Sequence, residues 1–327
     1  METIPHGARF PLFTALFIAL VVSGCSKHSG LPRQDQLVLP ALGVDLSLAS
    51  DMAPGFRIIE AQEPYNRIGQ VIATGTKACN KVDVDPDHAV FYSGISRMIT
   101  AKSTYTNLVY RVHFTEQPYS LLPFHFGAGS NVGVLVILTL DQDRRVVLVT
   151  TAQTCGCYAV TLPTAALPEA AYPTDWPSSS ISIYGERLPA RLPAITPQDI
   201  LVVAVRPEVH RVMDMQVVHK TSLIEGATRA IIAEMDSLKQ LPLEDGTTTS
   251  LYYRNWPLTG HVRGAIKPWE TLFLGLVSLD FYVGMDKEYG NTGVSGNPFY
   301  TSLKPWNRTS SDMNDFGRYL HFNGWNL

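Results

Sequence analysis

Val132-Gly-Val-Leu-Val-Ile-Leu-Thr-Leu140, Asp141-Gln-Asp-Arg-Arg145 and Val146-Val-Leu-Val-Thr-Thr151 follow one another near the middle of this 327-residue chain. The first and third stretches are apolar and rich in β-branched residues, whereas the short stretch between them is polar, as a turn is. This order predicts two antiparallel strands joined as a hairpin. Because the apolar runs are continuous, the hairpin is expected at the centre of a sheet.

The chain on either side of this hairpin also has the pattern of strands. Residues 104–114 alternate, so that apolar and polar side chains fall on opposite faces, which is typical of a half-buried strand. Short β-rich segments follow at 157–162, 180–184, 200–206 and 213–218. Prolines recur between them at a density that argues against long helices. This part of the chain predicts a sandwich or a curled sheet.

From residue 222 onward the hydrophobic period becomes that of helices. Ser222-Leu-Ile-Glu225 matches a capping box, and apolar residues follow at steps of three and four up to Pro242, which predicts an amphipathic helix. Residues 268–283 are apolar nearly all round and predict a helix buried on several sides. A last short helix is expected over residues 311–322.

The expected fold is therefore α+β. An antiparallel sheet or sandwich would occupy the N-terminal two thirds, and helices from the C-terminal third would pack on it. No clean linker separates the two parts, so residues 54–327 are expected to form a single globular domain.

The first 24 residues have the organisation of an export signal. Arg9 and the free amino terminus precede an uncharged apolar run from Phe10 to Val22, which is too short to span a bilayer permanently. The run ends at Val22-Ser-Gly-Cys25, which resembles the lipobox of bacterial lipoproteins. This resemblance covers about the first 26 residues of the chain. It implies cleavage before Cys25 and attachment of lipid to the Cys25 thiol.

The same resemblance implies where the protein is located. Lipid on Cys25 would hold the chain on a membrane, because its acyl chains bury enough methylene groups for stable anchoring. Residues 25–53 would then act as a flexible tether. The expected location is the bacterial cell envelope, facing the periplasm, and Ser26 favours the outer membrane over the inner one. The alternatives are a secretory signal with a chance cysteine and an uncleaved anchor.

Three cysteines remain if Cys25 carries lipid, namely Cys79, Cys155 and Cys157. On a strand, the sulfurs of Cys155 and Cys157 would share a face and could bind a metal ion together with Cys79 or a histidine. A tight turn at Gly156 would instead let them close a strained, reducible disulfide. The third alternative is a structural disulfide from Cys79 to one of them, which would stabilise the domain by roughly 2–4 kcal/mol.

Histidines and aromatic rings supply the other candidate site residues. His113 and His125 lie on neighbouring strand-like segments, and neutral imidazole is the commonest metal ligand. Near the C terminus, Trp306, Tyr319 and Trp325 could stack on the faces of sugars or wrap onto their own domain. No cofactor is predicted, although a transition metal bound by the cysteines and histidines is an open alternative.

Charge and motifs argue against several classes of function. The formal net charge is −3 and no run of lysines or arginines occurs, which argues against nucleic acid as a partner. GxSxG, SxxK, HExxH and Walker patterns are absent from the sequence, so no catalytic residues are predicted. The leading hypothesis is a lipid-anchored, non-enzymatic binding or assembly module whose partner is a periplasmic protein or glycan. The alternatives are a metal-binding or thiol-redox module and a hydrolase without a recognisable motif.

Overall fold

The structure is a computed structural model that describes residues 31–41, 48–223, 226–290 and 296–327. Cys25 and the predicted signal sequence lie outside these ranges. The α-helices are α1 (Leu48–Asp51), α2 (Pro268–Ser278) and α3 (Phe316–Phe322). The strands are β1 (Gln36–Pro40), β2 (Gly55–Ile58), β3 (Gln70–Thr76), β4 (Cys79–Asp85), β5 (Val90–Ile99), β6 (Thr104–His113), β7 (Glu116–Gln117), β8 (Gly129–Ser130), β9 (Gly133–Leu140), β10 (Val146–Gln153), β11 (Val160–Pro163), β12 (Ser180–Ile183), β13 (Glu186–Pro189), β14 (Asp199–Val205), β15 (Val212–His219), β16 (Thr228–Glu234), β17 (Leu241–Pro242) and β18 (Thr248–Thr249).

A mixed ten-stranded sheet, curled into a half-barrel, dominates the fold. Its strand order is β11-β10-β9-β6-β5-β16-β1-β2-β14-β15. Neighbouring strands from β11 to β5 are antiparallel, whereas β16 runs parallel to both β5 and β1, and β14 runs parallel to β2. The strand that comes first in the described chain therefore lies in the interior of the sheet.

The predicted hairpin is confirmed, because β9 and β10 pair antiparallel with Val146 opposite Leu140. It lies beside the edge strand β11 rather than at the centre of the ten-stranded sheet. Both faces of β9 are buried. Leu138 belongs to the core on one face of the sheet, and Ile137 belongs to a second core on the opposite face. Burial on both faces explains why this stretch is continuously apolar rather than alternating.

β6 has the predicted alternation, but its polar face is buried as well. Leu108 and Tyr110 are 0% exposed and belong to the first core. On the other face Arg111 and His113 are also 0% exposed, so the expectation of a half-buried strand is corrected. Buried polar groups of this kind need hydrogen-bond partners, and these residues find them near the site described below.

The α+β expectation is wrong, because about 40% of the described residues are in strands and 14% are helical. The largest error is the helix predicted from Ser222, since Thr228–Glu234 form β16 and Met235–Lys239 form a short 3-10 helix. β16 is hydrogen-bonded along both of its edges, to β1 and to β5. Pairing with these distant strands overrode the local helical spacing. The C-terminal third therefore supplies two α-helices rather than a helical layer.

The tether predicted over residues 25–53 also needs a correction. Gln36–Pro40 form β1, in which Val38 is 1% and Leu39 is 4% exposed. This strand pairs with both β2 and β16, because burial of its apolar side chains favours docking over a free tether. Among the described residues, no helix is long and apolar enough to cross a membrane.

Candidate functional site at helix α2

Helix α2 differs from an ordinary surface helix, because its polar and small residues are buried and its apolar residues are exposed. It begins at Pro268. The first residue of a helix has no helical acceptor for its N–H, so the missing N–H of proline costs no hydrogen bond there. The helix ends at Leu279, which adopts the left-handed conformation with φ 50°. Its buried residues are Glu270, Gly275 and Ser278, which are polar or small. The apolar side chains point outward, so the expectation of a helix buried on several sides is wrong. The exposed fractions of its outer residues are 63% for Leu272, 55% for Phe273, 75% for Leu276 and 67% for Val277.

Aromatic rings of a neighbouring loop extend this apolar surface. The ring centroid of Phe124 is 5.7 Å from that of Trp269, and the centroid of Phe126 is 6.0 Å from that of Phe273. Exposed apolar patches rimmed by polar residues mark sites of interaction with proteins or membranes. The surface, here called the apolar face, comprises Tyr119, Leu121, Leu122, Phe124, Ile266, Leu272, Phe273, Leu276, Val277, Leu279 and Phe281.

A buried ionic centre lies at the inner side of the first turn of α2. The side chains of Lys267 and Asp286 are 1% and 0% exposed, and Nζ of Lys267 lies 3.4 Å from Oδ2 of Asp286. The other oxygen of Asp286 accepts a hydrogen bond from the Thr154 hydroxyl. Burial by itself would lower the pKa of Lys267, but Asp286, Cys155 and Glu270 together outweigh it and hold that pKa well above its usual value. The lysine is therefore a buried cation.

Glu270 is the third charged residue of this centre and is 3% exposed. Burial raises the pKa of its carboxyl, and the charge of Lys267 offsets only part of that effect. Its Oε2 atom makes no hydrogen bond within the described part of the chain. Space around it is tight, because a Cβ atom built on Gly284 would lie 2.3 Å from that oxygen.

Replacing Glu270 by Gln is expected to raise the free energy of unfolding at pH 7. A raised folded-state pKa means that the carboxyl contributes stability below its unfolded pKa and loses that contribution as the pH rises toward the folded pKa. The neutral, nearly isosteric amide has no such loss. Urea unfolding curves of the two proteins should therefore lie closest near pH 4 and separate by pH 7. A difference in stability that does not change with pH would contradict this assignment.

Cys155 and Cys157 lie against the ionic centre, in the turn that follows β10. Gly156 between them has φ +95°, and its N–H donates to the carbonyl of Gln153 at 2.8 Å. The backbone N–H of Cys157 donates to Sγ of Cys155 at 3.4 Å, and Sγ of Cys155 donates to Oε1 of Gln153 at 3.7 Å. Nζ of Lys287 donates to the Cys155 carbonyl at 3.3 Å, which fixes the turn to the segment that carries Asp286.

The two thiols differ in exposure and in electrostatics. Cys155 is 2% exposed, whereas Cys157 is partly exposed. The hydrogen bond from Cys157 lowers the pKa of the Cys155 thiol, and the charge of Lys267 acts in the same direction. That hydrogen bond and burial both raise the pKa of Cys157. The buried sulfur is therefore the one better able to carry negative charge.

The structure thus brings together two of the three cysteines singled out in the sequence. Cys79 is exposed at the start of β4, and none of the described cysteines forms a disulfide. Across the described ranges, no three side chains of His, Cys, Asp or Glu converge as metal ligands.

The two candidate histidines lie in different surroundings. His113 Nε2 accepts a hydrogen bond from Nε of Arg111 at 2.8 Å, and burial holds the pKa of His113 well below its usual value. His125 Nε2 lies 3.0 Å from Oε2 of Glu208, and its Nδ1 bonds the carbonyl of Pro118. Each imidazole is therefore engaged by protein groups of its own.

The candidate stacking rings are also in different environments. Tyr319 and Trp325 are each 3% exposed and belong to the second core, where Trp325 lies 5.0 Å from Trp176. Trp306 is 77% exposed. Two of these three rings thus wrap onto their own domain.

The meeting of Lys267, Glu270 and Asp286 could not be predicted from the spacing of these residues in the sequence. If α2 continued past residue 279, Asp286 would lie about 160° around the helix from Glu270. Instead the chain turns back, with the N–H of Asp280 donating to the carbonyl of Gly275 at 2.9 Å. The one available signal was the acid Glu270 at the start of an apolar run.

A groove of about 1280 Å³ lies elsewhere, between β5, β16 and the start of α3. Its ionisable residues include Arg97, Glu234, Asp236 and Lys239, and its described lining has no histidine or cysteine. Helix α2 instead joins an apolar outer face to a buried centre of two thiols and three charges. No protein-family model, curated protein or solved structure matches this chain, so its function is argued from these two features.

Proposed function

We propose that this chain is a lipid-anchored binding module of the bacterial cell envelope, and that its apolar face lies against the bilayer to which Cys25 is attached. The observation that carries the proposal is the side-chain burial of helix α2, in which Glu270 and Ser278 are buried while Leu276 and Val277 are exposed. Exposing these side chains to water is unfavourable, and an apolar surface that covers them removes that cost.

A lipid on Cys25 would keep the domain close to the membrane. Six residue steps separate Cys25 from Leu31, where the described chain begins, and they span at most about 21 Å. Shortly afterwards the Gln34 N–H donates to Oε1 of Gln62 at 3.0 Å, and the Gln34 carbonyl accepts from the N–H of Ala61 at 2.7 Å. The anchor segment therefore joins the body of the domain beside residues 61 and 62.

A series of contacts links this junction to the apolar face. The carbonyl of Glu60 accepts from Nδ2 of Asn66, and Oδ1 of Asn66 accepts from the N–H of Glu208. Glu208 pairs with His125, the residue after Phe124 of the apolar face. These contacts connect the junction with the loop that carries Phe124, which supports the proposal that the lipid and the apolar face reach the same bilayer.

The chemistry of the apolar face fits the interior edge of a membrane. Its central stretch, residues 271–279, contains no charged side chain. Tyr119 and Trp269 supply rings with an apolar body and a polar tip, which suit the boundary between headgroups and acyl chains. A helix that lies in this boundary buries its apolar side a few ångströms deep without spanning the bilayer.

The lipid anchor is tested by changing Cys25 to Ser in the full chain. In a Gram-negative host fed a palmitate analogue, the wild-type protein is expected to carry the label and the Cys25→Ser variant is expected to carry none. The Cys79→Ser variant is the matched control and should be labelled like the wild type, because Cys79 belongs to the folded domain. An unlabelled wild-type protein would refute the anchor.

Contact of the apolar face with the bilayer is tested separately. The purified lipidated chain is placed in phosphatidylcholine vesicles whose acyl chains carry bromine, which quenches tryptophan fluorescence on contact. Strong quenching is expected for the wild type, and a drop of at least half for the Leu276→Glu/Val277→Glu variant, because charged side chains avoid the acyl region. Ile99→Glu is the matched control, because Ile99 is 74% exposed but lies outside the apolar face.

The outcomes of the two tests are distinct. Protein that floats with the vesicles but is not quenched would keep the anchor and reject the bilayer as the occupant of the apolar face. In that case a crosslinker placed at residue 276 should capture an envelope protein instead. Equal quenching of the wild type and the double variant would also reject contact through α2.

A further inference from the structure

The cysteine pair has a geometry suited to exchange of disulfide bonds. A single glycine separates the two cysteines, and the backbone N–H of Cys157 donates to Sγ of Cys155 at 3.4 Å, so one turn carries both thiols. Gly156 turns the chain between them with φ +95°, and Lys287 holds the carbonyl of Cys155. The pair is thus preorganised by the backbone rather than brought together by flexible side chains.

The surroundings of the pair distinguish its two sulfurs. Cys155 is 2% exposed, so an incoming group reaches the partly exposed Cys157 first. Lys267 is buried, with an ion pair to Asp286 but no hydrogen bond from its Nζ within the described residues. Its charge lowers the pKa of the Cys155 thiol. Thiol exchange is faster when the departing sulfur is stabilised as a thiolate. Cys155, next to this cation, is the better leaving group.

We propose that Cys155 and Cys157 form a thiol–disulfide exchange site that, in its oxidised state, oxidises pairs of cysteine thiols in other envelope proteins. This inference goes beyond the binding role proposed above and depends on it only for the oxidising compartment. Attack occurs at Cys157, and Cys155 departs beside Lys267.

The exchange balances in two steps. A substrate thiolate attacks Sγ of Cys157, which forms a mixed disulfide and breaks the bond to Cys155, and Cys155 leaves as a thiolate and then takes up a proton. The second substrate thiolate attacks the substrate sulfur of the mixed disulfide and releases Cys157, which is protonated in turn. The substrate loses two electrons and two protons, and the cysteine pair gains both. A low-molecular-weight disulfide reoxidises the pair by the reverse exchange.

The first test uses the unmodified full chain. The purified protein is equilibrated in a series of reduced-to-oxidised glutathione ratios, the thiols are trapped by alkylation, and peptides are mapped by mass spectrometry. A reversible Cys155–Cys157 disulfide is expected, with Cys79 outside it. A pair that stays a dithiol at the most oxidising ratio, or a disulfide at the most reducing ratio, would overturn the proposal. So would a bond from Cys79 to either cysteine, or one metal ion per chain lost when the pair is alkylated.

The second test measures which of the two sulfurs forms the mixed disulfide. With oxidised glutathione as the probe, Cys155→Ser should accumulate a stable mixed disulfide on Cys157, whereas Cys157→Ser should react at Cys155 at least tenfold more slowly. Oxidation of a dithiol peptide by the preoxidised protein should fall at least 100-fold in either variant and stay within twofold in Cys79→Ser. Equal reactivity of Cys155 and Cys157 would overturn the proposed order of attack. Because the first test needs no variant, misfolding of either serine variant leaves the proposal open to refutation.

Discussion

Replacing Lys267 by Met lowers the free energy of unfolding by about 3–5 kcal/mol, because removal of one partner leaves an uncompensated buried charge. Nζ of Lys267 lies 3.4 Å from Oδ2 of Asp286, and the two side chains are 1% and 0% exposed. Glu270 loses its cationic neighbour in the same substitution. Urea unfolding at pH 7 under reducing conditions, followed by tryptophan fluorescence, measures the loss.

Two further variants show whether the effect arises from buried charge. Lys267→Met/Asp286→Asn is expected to recover part of the stability, since it removes both members of the ion pair. Lys81→Met is the matched surface control, because Lys81 pairs with Asp83 at 2.8 Å with the two side chains 77% and 40% exposed. Exposed pairs of this kind contribute about 1 kcal/mol or less. A similar small loss at Lys267 would show that its centre is accessible to water.

The substitution Gly156→Ala is expected to cost about 2–5 kcal/mol. A non-glycine residue in a left-handed conformation costs about 1–2 kcal/mol, and overpacking adds about 1–3 kcal/mol. The overpacking arises because a Cβ atom on Gly156 would lie 2.2 Å from the backbone carbonyl oxygen of Tyr300. Backbone cannot yield as a flexible side chain can, so the turn that carries Cys155 and Cys157 must shift.

The variant Gly246→Ala separates the conformational cost from the cost of overpacking. Gly246 has φ +76° and nothing within 4 Å of its hypothetical Cβ, so only the conformational cost of about 1–2 kcal/mol is expected. Chemical unfolding measures both variants, and the glutathione equilibration described above reports the displacement of the two sulfurs in Gly156→Ala. Equal losses of stability at the two glycines would show that the contact with Tyr300 does not constrain the turn.

The sequence predicted those features of the fold that depend on local alternation. The β9–β10 hairpin, the strand over residues 104–113 and the start of a helix at Pro268 follow from the spacing of neighbouring residues. The prediction from sequence was wrong at β16, because the structure of β16 depends on strands more than 130 residues earlier in the chain. Local spacing has no information about such partners, and a stretch with helical spacing forms a strand when both of its edges are paired.

The candidate site shows the same limit. Cys155 and Cys157 could be singled out because a single glycine separates them, and glycine permits the tight turn that brings them onto one short segment. Their surroundings could not be predicted, since Lys267 and Asp286 meet only after the chain reverses at Leu279. Periodicity identified α2 as an apolar helix but did not indicate which of its sides faces water.

The position of β1 has a mechanical consequence for a protein held by its N terminus. Tension on Cys25 would pull β1 along its own length, while hydrogen bonds to β16 and β2 hold it on both edges. In that direction the hydrogen bonds to both neighbours are loaded in shear and must fail together, whereas an edge strand peeled from its end would lose them one at a time. A force between a membrane and the domain would therefore be carried into the interior of the ten-stranded sheet. The proposed lipid anchor would be joined to a strand that is paired on both of its edges.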